Sequence, residues 1–226
     1  MAAFQTHVTV GLIVGYIAGL FAVVTQWIVA PFMPLCMFAA AFIGAFLPDL
    51  DSNYSKPFNI VFSHAAIIGG SAVFFYFTLQ KTIPWFYWAM IPPVTAFVIR
   101  YGVGKIFQKF TVHRGIFHSI PGIFIATLAT PPVISYIPLA SKDVIAIALS
   151  VGIGFLSHLV LDEICSIIRF EGFKMKIKVK RSFGTAMTFT SSSKPVTFAV
   201  YFLLVVLICY NRQLLTEVFP GITAYF

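Results

Sequence analysis

The sequence predicts an all-α fold, a polytopic bundle of about seven transmembrane helices. Three observations lead there. Of 226 residues, 59% are hydrophobic and only 10% charged, where a soluble domain carries about one-quarter charged residues. The mean hydropathy is +0.94. Apolar runs of roughly the 17–25 residues that cross a bilayer as a helix recur along the chain. A water-soluble core is excluded, and residues 1–226 read as one transmembrane domain.

The first helix is expected over residues 8–29. The segment before it, Met1 to His7, has no basic region and no small-residue cleavage site, so this run reads as a retained helix and not as a signal peptide. Ala30-Pro31-Phe32-Met33-Pro34 makes a turn. The second helix, 35–47, is short and stops at Pro48-Asp49-Leu50-Asp51, before a polar loop over 52–59. The third and fourth helices are expected over 60–79 and 85–100. A basic stretch, 101–114, leads into the fifth at 116–137. The sixth covers 144–167, and the seventh, 195–210, follows a long basic loop over 168–194. Cys36, Cys165 and Cys209 are scattered through apolar segments without metal-type spacing and read as buried thiols.

Placing the loops alternately on two sides puts twelve of the fifteen Lys and Arg on the side of the N-terminus. Basic loops stay cytoplasmic, so the N-terminus and that face are expected in the cytoplasm, in a multi-pass inner-membrane protein. The ordering depends on the second helix spanning fully. On this topology all five histidines lie near the cytoplasmic face. A transporter's coupling residues would instead sit near the bilayer midplane.

Four helices carry stripes of small residues at a spacing of four, which places them on one face. They read His7, Gly11, Gly15, Gly19; Ala40, Gly44, Pro48, followed by Asp49 and Asp51; His118, Gly122, Ala126, Thr130; and Ser150, Gly154, His158, Asp162. Small residues mark the faces where membrane helices pack closely. The His and Asp side chains that end these stripes therefore point inward, where ionisable groups are functional by default. One such stripe means little, since Gly and Ala are common in membrane helices. Four that end in candidate ligands on one side suggest a shared site.

His158 and Asp162 lie one turn apart, so an imidazole nitrogen and a carboxylate oxygen can bind one ion from a rigid helix. The competing reading is a histidine hydrogen-bonded to its own helix neighbour. Asp49 and Asp51 could cap the following segment, or bridge metal ions. Two such carboxylates repel unless a cation lies between them. Arg114 could be that cation, or could hold a substrate phosphate or carboxylate. Ser119 reads as a helix cap. His64 is followed one turn later by Ile68, so its face is not small, and it reads as structural or supporting.

Phe173 to Lys180 alternates lysine with apolar residues, the period of a strand. Residues 181–185 could turn it and 186–190 could return, giving a β-hairpin-like cytoplasmic loop. Its lysines would attract anionic lipid headgroups, or serve only as an orientation signal. Nucleic acid is not an expected partner, because the charge lies against a membrane.

Thr6-His7, Pro48-Asp49-Leu50-Asp51, His113-Arg114-Gly115 with His118-Ser119, and Ser157-His158-Leu159-Val160-Leu161-Asp162 together resemble the YdjM-type family of predicted membrane-bound, metal-dependent hydrolases. Phe117 departs from the threonine of the family's H-R-G-x-T-H-S pattern, which leaves the ligands in place but removes a hydroxyl beside them.

The resemblance implies metal-dependent hydrolysis. The expected ligands are His7, Asp49, Asp51, His113, His118, His158 and Asp162, more than one tetrahedral zinc needs, which favours two divalent ions, or one ion with part of the set in supporting roles. Zinc is the first expectation, with manganese or magnesium as alternatives. Of Asp49 and Asp51, the carboxylate not used as a ligand would be general base, and Arg114 would stabilise developing negative charge. The expected substrate is an ester or phosphoester of a lipid or lipid-linked molecule. Two other classes remain: a metal-binding transporter or sensor without hydrolytic activity, and a structural protein whose polar cluster is a hydrogen-bonded plug.

Overall fold

The computed structural model describes residues 4–51, 56–80, 84–106, 118–171, 174–177, 184, 187–191 and 193–221. They form two units, Met1–Pro48 with Arg114–Phe226, and Asp49–His113. In the first lie α1 (Phe4–Val24), α2 (Met33–Phe46), α5 (Ile120–Ile134), α6 (Ser141–Ile167), α7 (Lys194–Tyr210) and α8 (Arg212–Val218). The second holds α3 (Lys56–Leu79) and α4 (Trp85–Phe97). A 3-10 turn, Leu47–Asp51, continues from the end of α2.

The expected seven helices become eight among the described residues. Four segments are long and apolar enough to cross a membrane: Phe4–Val24, Met33–Leu50, Phe58–Leu79 and Ser141–Ile167. The pair α7 and α8, bent by 57°, makes a fifth if it counts as one span. The second helix with its 3-10 extension thus has the length to cross.

The first unit is organised around α6, which packs against α1, α2 and α5. The seam of α1 with α2 is made by the small-residue stripe. A methyl group at Gly11 would collide with the Ala45 side chain, one at Gly15 would lie 2.7 Å from the Ala41 Cβ, and one at Gly19 would lie 3.3 Å from the Pro34 carbonyl oxygen. The partners fall along α2 as the glycines rise along α1, so the two helices run antiparallel. The α2–α6 seam is closer still: a Cβ at Gly44 would strike the Val151 carbonyl, and one at Gly154 the Ala41 carbonyl. Backbone-to-backbone approach of this kind supplies the dispersion contact that holds membrane helices together without a hydrophobic driving force.

Helix α1 stops at Val24, five residues short of the expected end. Gln26 takes a left-handed conformation (φ 52°), the Gln26 N–H donates to the Val23 carbonyl and the Trp27 N–H to the Ala22 carbonyl. This is the hydrogen-bond pattern that commonly ends helices at glycine. The α1–α2 connection is then held by Asp143 in the first turn of α6. Its Oδ1 accepts from the Val29 N–H at 2.8 Å and its Oδ2 from the Ala30 N–H at 3.2 Å. The Asp143 carboxylate is buried, and these two N–H groups supply the donors it needs there.

Helix α5 starts at Ile120, later than expected, because Ser119 caps it: the Ser119 Oγ accepts from the Gly122 N–H at 3.1 Å, with Pro121 in the first turn. Near its end Pro132 lacks the N–H that would bond the Leu128 carbonyl. Asn211, buried at the bend between α7 and α8, donates through Nδ2 to that carbonyl (2.9 Å) and to the Leu207 carbonyl (2.7 Å).

In the basic loop, Lys174–Ile177 is a strand, but its partner differs from the expected one. It pairs antiparallel with Ile168–Glu171, placing Ile168 opposite Ile177. Of the expected return over 186–190, Thr188 instead bridges Ser119.

Within the second unit α3 packs on α4. Pro92 and Pro93 lie inside α4, which runs on as a π-helical turn, Val98–Val103. The Arg100 guanidinium donates to Asn59 Oδ1 at 2.6 Å and lies over the Phe58 and Tyr101 rings. His64 is exposed and its Nδ1 meets the Ile60 carbonyl of its own helix at 2.7 Å, in keeping with a structural role.

Candidate metal centre

Three parts of the first unit bring their ends together. His7 lies in the first turn of α1, His118 just before the cap of α5, and His158 and Asp162 in the C-terminal half of α6. All four are buried, with exposures between 0% and 5%. The α1 and α6 stripes explain why. Gly11 and Gly15 let α1 settle on α2, and Gly154 lets α6 settle on the same helix, so His7, one turn before Gly11, and His158, one turn after Gly154, face each other.

The His7 and His158 rings stack, with centroids 3.7 Å apart and planes 13° from parallel. His7 Nε2 is 3.2 Å from Asp162 Oδ1, and His118 Nε2 is 4.0 Å from Asp162 Oδ2. The His118 ring stands edge-on to His158, with centroids 5.6 Å apart. Asp162 therefore offers one oxygen toward each of two imidazoles from different helices.

His158 is oriented by the backbone. Its Nδ1 is 2.7 Å from the Ala45 carbonyl oxygen. A carbonyl only accepts, so Nδ1 carries the hydrogen and Nε2 of the neutral ring carries the lone pair. A histidine that donates one ring N–H to a carbonyl while the other nitrogen faces a site is the usual arrangement of a metal ligand. His7 Nδ1 is buried and has no hydrogen-bond partner among the described residues. Ligand atoms of His7, His158 and Asp162 all lie within 4.8 Å of one another. Imidazole nitrogen with carboxylate oxygen suits a divalent first-row ion. The residues present fit one.

His118 is held from a direction the sequence did not suggest. The Thr188 Oγ1 donates to the His118 carbonyl at 3.2 Å, and the Ile120 N–H donates to the Thr188 carbonyl at 3.0 Å. Next to Asp162, Glu163 accepts through Oε1 from the Gly184 N–H. The far end of the basic loop is thus tied to two elements of the site. Nothing in the residue types of 184–190 announces this, because each tie has a backbone atom on at least one side.

Within the first unit the structure brings together four of the expected ligands, His7, His118, His158 and Asp162. Asp49 lies on the 3-10 turn, at the start of the second unit. The backbone of Asp51 closes that turn, but its side chain lies outside the described residues, as do His113 and Arg114.

A bundle of membrane-length apolar helices with a buried His/Asp cluster at one end of its first unit defines a membrane protein with a possible metal-binding site. Residues 1–219 match the family described as YdjM inner membrane protein, and the chain belongs to that family. Comparison with curated proteins and with solved structures found no match.

Proposed function

We propose that this protein is a metal-dependent hydrolase of the inner membrane, acting at the cytoplasmic face on an ester or phosphoester of a lipid or lipid-linked substrate. The observation that carries this reading is the convergence of buried His7, His158 and Asp162 ligand atoms within 4.8 Å. His118 lies close enough to Asp162 to join them. Zinc is the first choice of ion, with manganese or magnesium as alternatives, and one or two ions are in question. When bound, such an ion supplies a Lewis acid and lowers the pKa of a coordinated water.

The chain's own residues have separate tasks in this reading. Ala45 fixes the tautomer of His158 so that Nε2 faces the site. Asp162 orients the rings of His7 and His118. Asp49 and Asp51 directly follow Pro48 at the end of α2; they supply further carboxylates, one of which takes the proton from the attacking water. Arg114 holds the anionic group on which negative charge develops. The excess of Lys and Arg on the N-terminal side supports a cytoplasmic N-terminus. Lysines of the loop, Lys174 and Lys176 among them, attract anionic headgroups. Nucleic acid is not a partner in this reading.

The test is elemental analysis of the detergent-purified chain beside His158→Ala and Asp162→Ala variants, with hydrolysis followed on a panel of esters and phosphoesters. The expected result is stoichiometric zinc, manganese or magnesium in the parent, lost from both variants, and a hydrolytic activity that a chelator removes. Parent protein without metal after chelator-free purification overturns the proposal. Metal without hydrolysis across the panel would leave the transporter or sensor reading in its place.

A further inference from the structure

Three members of the cluster are carried by helices. His7 lies on α1, and His158 and Asp162 lie on α6, so the small-residue seams with α2 fix their positions. His118 is different. It precedes the cap of α5, and Ser119 beside it has an extended backbone (φ −147°, ψ 156°). A helix seam does not set the direction of a side chain on such a peptide, because φ and ψ there stay soft unless other groups bond it. Yet His118 is buried, its Nε2 lies 4.0 Å from Asp162 Oδ2, and its ring stands edge-on to His158. The polar groups of the peptide identify what holds it. The Ile120 N–H is one of the helix-start donors that α5 itself cannot satisfy, and the His118 carbonyl lies outside α5. Thr188 meets both. Its carbonyl accepts from the Ile120 N–H at 3.0 Å, and its Oγ1 donates to the His118 carbonyl at 3.2 Å. The first bond is open to any residue at this position. The second needs a side-chain donor of short reach, and the neighbouring Ser119 Oγ is already engaged in capping α5 through the Gly122 N–H.

We propose that Thr188 is a positioning residue of the metal centre: its hydroxyl fixes the peptide that carries His118, and so holds the ring where Nε2 can join His7, His158 and Asp162 on one ion. The inference rests on the metal-dependent reading of the cluster. Thr188 acts through His118 and is not itself a ligand. The parallel bridge of Thr188 to Ser119 places the hydroxyl bond and the backbone bond on either side of Ser119, so the peptide is held before and after the residue whose dihedrals aim His118. A ligand supported in this way loses little freedom when it binds an ion, which is why removal of such support weakens metal affinity without removing a ligand.

The experiment uses the full chain in detergent, stripped with a chelator and titrated with cobalt(II), whose visible absorption reports the geometry of its ligands. Thr188→Val keeps the shape of the side chain and the backbone bond to Ile120 but lacks the hydroxyl. It should bind cobalt about tenfold more weakly than the parent, the lower edge of the roughly 10–100-fold cost of losing a ligand's support, with a spectrum moved toward that of His118→Ala. Thr188→Ser should stay near the parent in both readings. In a His118→Ala background, which still offers His7, His158 and Asp162, Thr188→Val should cost nothing further, because the residue it positions is gone. A hydroxyl that only stabilises the loop would weaken binding equally in both backgrounds, and that result overturns the inference. Parent-level affinity and spectrum in Thr188→Val overturn it too, as does a serine variant as weak as the valine one. Thr188→Ala is read by the same outcomes if the valine variant does not fold. A parent that takes up no cobalt is the failure of the metal reading, and the role of Thr188 falls with it. A parent that binds cobalt, with any of the three adverse results, is the failure of the inference alone.

Discussion

Asn211 Nδ2 donates to the Leu128 carbonyl at 2.9 Å, and that carbonyl is the one whose helical partner Pro132 cannot supply. The asparagine therefore repairs a break that the proline makes in α5. Asn211→Leu leaves a buried acceptor unpaired and should cost about 1–2 kcal/mol. Pro132→Ala restores an N–H to the same carbonyl. The double variant should recover most of the loss in thermal unfolding in detergent. A double variant as unstable as Asn211→Leu alone would show that the two residues are not coupled.

Asp143 accepts two loop N–H groups at the end of α6 remote from Asp162. Asp143→Ala should lower stability by about 1.5–3 kcal/mol, the range for bonds to a charged acceptor, and Asp143→Asn, which keeps one oxygen, by less. Metal content per folded molecule should not change in either. Thermal melts paired with elemental analysis read both quantities.

Gly154→Ala and Gly44→Ala place a methyl group against a backbone carbonyl that cannot move aside. Each should cost about 1–3 kcal/mol by overpacking. Because Ala45 orients His158 across the same seam, bound metal should fall as well. Gly102→Ala is the control, since its Cβ would meet only Val98 at 3.6 Å. Equal effects at all three positions would contradict the close seam.

Gln26→Gly should raise stability by about 1 kcal/mol, because glycine takes the left-handed conformation without the Cβ penalty. A lower melting temperature for this variant would mean that the Gln26 side chain contributes more than its backbone strain costs.

The parts of the site that the sequence announces are those governed by helical period. His7 to Gly19 and Ser150 to Asp162 are runs of small residues at a spacing of four, and the structure buries both against neighbouring helices. Asp143, Asn211 and Thr188 gave no such signal. Each bonds backbone atoms far away in sequence, and any segment offers those atoms whatever its side chains. The basic loop shows the same limit. Its alternating lysines indicate a strand, but nothing in Lys174–Ile177 says that the partner is Ile168–Glu171 and not 186–190. The end of α1 was missed because a glutamine occupies the position where glycine is the usual signal.

The stacked rings of His7 and His158 also set the timing of assembly. They belong to the first and the sixth helix in chain order. At about 5–20 residues per second, roughly 8–30 s of synthesis separate them. A nascent chain can close the α1–α2 seam early, yet it has no partner for His7 until α6 has entered the bilayer. A chain that stops before His158 lacks both α6 members of the cluster, so the His7–His158–Asp162 set exists only once synthesis has passed α6.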